Sequence, residues 1–215
     1  MTIIHDPSYD RSIASQQLRA LLASGGFAHS FRFSSPSREL GGCVERLDSF
    51  LEEIDHGGPL NTIDAEKLVA YSRALAEQVP GFIDAHAHLC IGLNVLGQFE
   101  LAALLGYQKL MEIESCLPHG GQVAIDYLVM ENRPYFRLLE ATFDSLLKVD
   151  TPEGLLGATF VAGLCLARSP SDHLGLRERI GQEVCLRRAG DGSLLHIPGE
   201  WSWPLTLNLN AAPRS

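Results

Sequence analysis

The feature that most constrains this chain is a regular punctuation. From Glu39 to Arg188, segments with apolar residues at helical spacing alternate with short breaks rich in glycine and proline. Glu39 to His56 carries Leu40, Val44, Leu47, Phe50, Leu51 and Ile54 on one stripe, and Gly57-Gly58-Pro59 stops it. Thr62 or Asp64 is the candidate cap of a second helix running to about Val79, with Leu68, Val69, Ser72, Leu75 and Ala76 on one face and Pro80 closing it. Phe82 to Gly97 and Phe99 to Leu117 follow as two helices joined at Gly97-Gln98. After His119-Gly120-Gly121, QVAIDYLVM reads as a short helix or an extended lead-in to one. Asn132 is then a candidate cap, with Pro134 in the first turn of a helix to Val149. Thr151-Pro152 opens the next helix, to Arg168, and Asp172 begins a last one to about Arg188.

The ends differ from this middle. Ser12 to Leu22 holds Ile13, Leu18, Leu21 and Leu22 and reads as a first helix, and the aromatic and serine-rich run from Gly25 to Arg38 reads as a loop. Beyond Gly190 the prolines, Trp201, Trp203 and the alternation LTLNLN exclude a long helix, so 191–215 is expected to be an extended tail packing on the body or on a partner. The expected organisation is an all-α domain over residues 1–190 followed by that tail.

Charge and cysteine usage narrow the partners. The 26 acidic residues against 17 basic give a net charge of −9, which disfavours nucleic acid and anionic membrane surfaces and favours a basic or apolar protein ligand. Cys43, Cys90, Cys116, Cys165 and Cys185 are widely spaced, odd in number and mostly set among apolar residues, the pattern of buried reduced thiols in a cytoplasmic protein. The opening MTIIHDPSYDRS does not read as a secretory signal, and no apolar run reaches the ~18 residues of a membrane span. The cytoplasm is the expected location.

Small residues placed where helices must cross carry a resemblance. Leu89, Leu93 and Leu96 alternate with Cys90 and Gly92, Gly97 makes a turn, and Phe99, Ala102, Ala103 and Tyr107 follow before QKLMEI. This run resembles the tetratricopeptide-repeat family, in its divergent bacterial type, with one extra residue between Ala102 and Tyr107. A second unit is similar to it from Asn132 onward, where Ala158, Cys165, Leu166 and Pro170 take the small and closing positions and the turn glycine is missing or displaced to Gly154. The clearest repeats are 80–118 and 132–188. The resemblance implies right-handed antiparallel hairpins stacked as a short solenoid, with a groove on the inner helices that binds a peptide or partner protein and no catalysis. It places Asp84, His88, Ile91 and Asn94 of the first unit, and Arg133, Arg137 and Asp144 of the second, at that groove. Arg137 can alternatively pair with Glu140 on its own helix. Some family members clamp a carboxylate with lysines and asparagines; Asp84 and His88 depart from that pattern.

PGFIDAHAHL also resembles the metal-binding segment of the amidohydrolases, where an HxH pair ends a barrel strand. That resemblance implies a metal-dependent hydrolase using His86 and His88, whose side chains would share one side of a strand. The chain is shorter than a typical (β/α)₈ barrel of ~250 residues and lacks strand and helix alternation afterwards. On a helix the two histidines would diverge, and only Asp84 and His88 would share a face. The glycine pairs lack a phosphate-cradling motif, and Ser171-Asp172-His173 reads as capping, so no catalytic residue, metal or cofactor is assigned. A further alternative is a structural subunit that builds a homo-oligomer.

Overall fold

The computed structural model describes residues 3–4, 29–33, 42–54, 59–117 and 123–182. In chain order they form β1 (Ile3–Ile4), β2 (His29–Phe33), α1 (Cys43–Ile54), α2 (Thr62–Gln78), α3 (Ile83–Val95), α4 (Phe99–Cys116), β3 (Val123–Ile125), a 3₁₀ turn (Met130–Asn132), α5 (Arg133–Lys148) and α6 (Pro152–Arg168). A further helix, α7, covers residues 176–182. The architecture is mostly helical. The expected helix at Ser12 to Leu22 and the tail 191–215 lie outside the described residues.

Local chemistry sets the helix ends. The α2 cap is Asn61, whose Oδ1 accepts from the Asp64 amide at 3.0 Å, in place of the expected Thr62 or Asp64. Thr151 caps α6 as expected, accepting from the Gly154 amide at 3.1 Å, with Pro152 in the first turn where a missing amide hydrogen costs nothing. Gly97 turns the chain between α3 and α4 with φ of 72°. The matching turn between α5 and α6 uses Asp150 at φ 54°, so the missing glycine is replaced by an aspartate, a residue that tolerates the left-handed region. Gly154 serves a different purpose: a Cβ there would lie 2.6 Å from the Leu146 carbonyl of α5. The last helix starts later than expected. Asp172 sits at φ 48° and its carboxylate accepts from the Leu176 and Arg177 amides at 2.9 and 3.1 Å, which caps a helix beginning four residues further on.

Each helix from α2 to α6 packs on the next, and α3 packs also on α5. Helix α3 is apolar on nearly every side, as a helix enclosed by neighbours must be; Ile83, Ala85, Ala87, Leu89, Cys90, Gly92 and Leu93 are all buried. The crossings are made by small residues. A Cβ on Gly92 would lie 2.8 Å from Val69 of α2, one on Gly106 of α4 would strike the Thr142 hydroxyl of α5, and one on Gly157 would lie 2.9 Å from Leu146. The Cys90 thiol reaches the Ala102 carbonyl at 3.5 Å where α3 meets α4. One core runs through α3 to α6 and the strands, while Cys43, Leu47, Leu75, Ala76, Phe82 and Ala85 form a smaller one under α1.

A three-stranded sheet, absent from the sequence reading, closes the other end. β2 pairs antiparallel with β1 and parallel with β3, so part of the segment expected to be a loop is a strand and QVAIDYLVM enters as one. Asn132 pins it. Its Oδ1 accepts from the Phe33 amide at 3.0 Å, and its Nδ2 donates to the Phe31 and Asp126 carbonyls at 3.2 and 2.9 Å. The expected cap is thus a fully buried staple between strand and turn, and its side chain caps nothing. Nearby, the buried Arg168 at the end of α6 pairs with Glu114 of α4 and donates to the Val123 carbonyl at 3.4 Å. Glu114 also accepts from the Tyr135 hydroxyl at 2.7 Å, and burial pushes that phenol well above its ordinary pKa. No helix among the described residues is long and apolar enough to cross a membrane.

Candidate functional site

Helix α1 packs on α2 through Cys43, Leu47 and the Phe50–Tyr71 stack, and a groove of about 530 Å³ lies between α1, α2 and α3. Spacing along α1 decides what faces it. Asp48 and Glu52 are one turn apart and exposed at the rim, while Leu51 and Ile54 turn toward the interior. Leu60, just before α2, and Leu68 within it supply further apolar lining, and His88 and Ile91 line it from α3. The lining is therefore an apolar trough with a carboxylate edge.

Behind His88 lies a polar cluster joining two helices. Asp84 and His88 share one face of α3, as their spacing implied, with His88 Nε2 3.7 Å from Asp84 Oδ1. Arg137 of α5 pairs with the same carboxylate oxygen, and its Nη1 lies 3.5 Å from His88 Nε2. Arg137 therefore does not pair with Glu140 along its own helix; the α3 to α5 packing brings a closer carboxylate. Burial lowers the His88 pKa, and Arg137 pushes the same way, while the Asp84 and Asp48 carboxylates oppose this and do not overcome it. The imidazole is neutral near pH 7.

The other expected groove residues separate. Asn94 donates to the Ala141 carbonyl of α5 at 3.1 Å, with its Oδ1 buried and without a hydrogen-bond partner among the described residues. Asp144 pairs with Arg179 of α7, which also lies 3.4 Å from Glu140 and over the Phe143 ring at 4.9 Å. Arg133 lies over the Tyr127 ring at 5.8 Å, on the sheet side of α5. Of the seven expected residues (Asp84, His88, Ile91, Asn94, Arg133, Arg137 and Asp144), only His88 and Ile91 line the groove; Asp84, Arg137 and Asp144 are spent on pairs between helices, and Arg133 lies against Tyr127 with its Nε buried and without a hydrogen-bond partner among the described residues. The contribution of α1 was missed, although two exposed carboxylates one turn apart beside Leu51 were visible in the sequence.

The HxH pair does not act as one unit. It lies on α3, so its resemblance to the amidohydrolase strand is one of residue order without the geometry. His86 Nε2 sits 3.1 Å from the Pro80 carbonyl, which also accepts from the buried Lys109 ammonium at 2.5 Å, whereas His88 faces Asp84 and Arg137. Among the described residues no three His, Cys, Asp or Glu side chains gather closely enough to hold a metal ion. Comparison with family models, curated proteins and solved structures finds no match to this chain.

Proposed function

We propose that this protein is a cytoplasmic, non-catalytic interaction module, built as a short tetratricopeptide-like stack, whose groove between α1 and α3 receives a segment of another protein. The observation that carries this reading is the groove itself: an apolar trough of about 530 Å³ with carboxylates on its edge. The repeat-like packing adds support. Each hairpin crosses at small residues, and α3 and α5 meet side by side as inner helices do in a stack. Pairs such as Asp84 with Arg137 and Asp144 with Arg179 tie α3 to α5 and α5 to α7, fixing the scaffold that presents the groove.

A photo-crosslinking residue in place of Ile91 tests this directly. Cells of the native host carrying that variant should yield a discrete protein adduct, while the same residue in place of the exposed Leu156 on α6 should not. Equal adducts from both positions, or none from Ile91, would remove the groove as a binding site.

A further inference from the structure

The groove's chemistry narrows its occupant further, on the reading that it binds a protein segment. We propose that it takes a short cationic amphipathic segment of a partner: large apolar side chains on the floor made by Leu51, Ile54, Leu60, Leu68 and Ile91, with lysine or arginine against Asp48 and Glu52.

Charge decides the polar half of this match. Among the described residues no lysine or arginine lines the groove, and the guanidinium of the polar cluster, Arg137, is committed to Asp84 behind His88. A neutral His88 adds no positive charge to the wall. Asp48 and Glu52, exposed and one turn apart on the same helix, repel one another, and a bound cation converts that repulsion into attraction. The net charge of −9 extends the same attraction to longer range and raises the encounter rate with a basic segment.

The apolar half fixes the register. Ile54 and Leu68 are already buried, whereas Leu51, Leu60 and Ile91 are partly buried and keep some apolar surface for an incoming side chain to cover. A small-molecule pocket orients its ligand with convergent polar groups deep inside. Here the acidic groups lie on the rim and the floor is apolar, the arrangement an amphipathic helix or extended segment reads with one face.

The test pans a random dodecapeptide phage library on the purified full chain and measures recovered peptides by fluorescence anisotropy. Recovered sequences should combine lysine or arginine with leucine, isoleucine, phenylalanine or tryptophan. Their affinity should fall by at least ~10-fold in an Asp48→Lys/Glu52→Lys variant, whose exposed positions leave the fold intact, and should weaken with added salt. Ile91→Glu, checked for folding by circular dichroism, should abolish binding. Peptides lost in Ile91→Glu but indifferent to Asp48→Lys/Glu52→Lys would overturn the cationic assignment and leave the groove as a binding site. Peptides indifferent to both variants, or an empty library, would overturn both. If the crosslinker at Ile91 captures the purified chain itself, within one molecule or between two copies, the occupant belongs to this protein and the partner proposal fails.

Discussion

Cysteine reactivity follows from burial residue by residue. Cys90 and Cys165 sit in the core, and desolvation pushes both thiols up to about 12, so neither presents a thiolate at neutral pH. Cys43, the first residue of α1, is buried, and only Cys116, at the end of α4, is exposed among the described cysteines, which corrects the expectation of burial for that residue. In a Cys185→Ser background, native chain should therefore react with Ellman's reagent at Cys116 alone. Adding Cys116→Ser should leave the native chain unreactive until guanidinium chloride unfolds it. A second fast thiol in the native protein would show that the packing around Cys43, Cys90 or Cys165 opens readily.

At the scale of elements, helix α5 holds the assembly together, because it packs against α3, α4 and α6 at once. It meets α4 closely at Gly106. Thr142 is fully buried, its hydroxyl donates to the Leu138 carbonyl at 2.7 Å, and a Cβ on Gly106 would collide with that hydroxyl and lie 3.1 Å from Thr142 Cβ. Gly106→Ala should cost about 1–3 kcal/mol by overpacking, although alanine is the better helix former. Thr142→Ala in the same chain should recover part of that loss, since the hydroxyl and methyl go while Cβ stays. Urea unfolding of the two variants reads this, and a Gly106→Ala chain as stable as the parent would mean that α4 and α5 can separate without cost. The helices themselves were legible because proline, glycine and capping residues act locally: Pro80, Gly97 and Thr151-Pro152 each end or begin a helix where the sequence says. The sheet was not. Its strands are two to five residues long and join segments as distant in sequence as Ile3 and Ile125, and their local signs were the alternation of Phe31 and Phe33 and the extended reading of QVAIDYLVM. Asn132 shows the same limit, since its local spacing spells a cap while its real partners include backbone groups 99 and 101 residues away. The site divides likewise. Asp84 and His88 share a face by helical spacing alone, but the pairing of Arg137 with Asp84 and the wall supplied by α1 depend on how helices register against each other.

For the whole molecule, the histidines of α3 link the packing of α1, α2, α4 and α5 to pH. His86 and His88 are both held below the ordinary imidazole pKa by burial first; Lys109 adds to this for His86 and Arg137 for His88. The opposing groups are Glu112 and the Pro80 carbonyl for His86, and Asp84 and Asp48 for His88. A folded-state pKa below the unfolded one means that the unfolded chain binds protons more readily. The stability these residues confer is complete above the unfolded pKa of ~6.5 and is lost as pH falls from there through the folded values. Glu140 has the opposite sign. Burial and Asp144 raise its pKa, so its proton favours the folded state, and its effect is confined to the acid side, near the carboxylate range. Between about pH 7.5 and about pH 5.5 the histidines therefore dominate. The urea midpoint should fall on acidification across that interval, and a His86→Gln/His88→Gln chain should show a smaller fall, because glutamine has no charge to gain. An equal fall in both chains would place the acid sensitivity elsewhere. A fall confined to the parent would tie it to helix α3, whose two histidines lie on different faces and of which only His88 lines the groove.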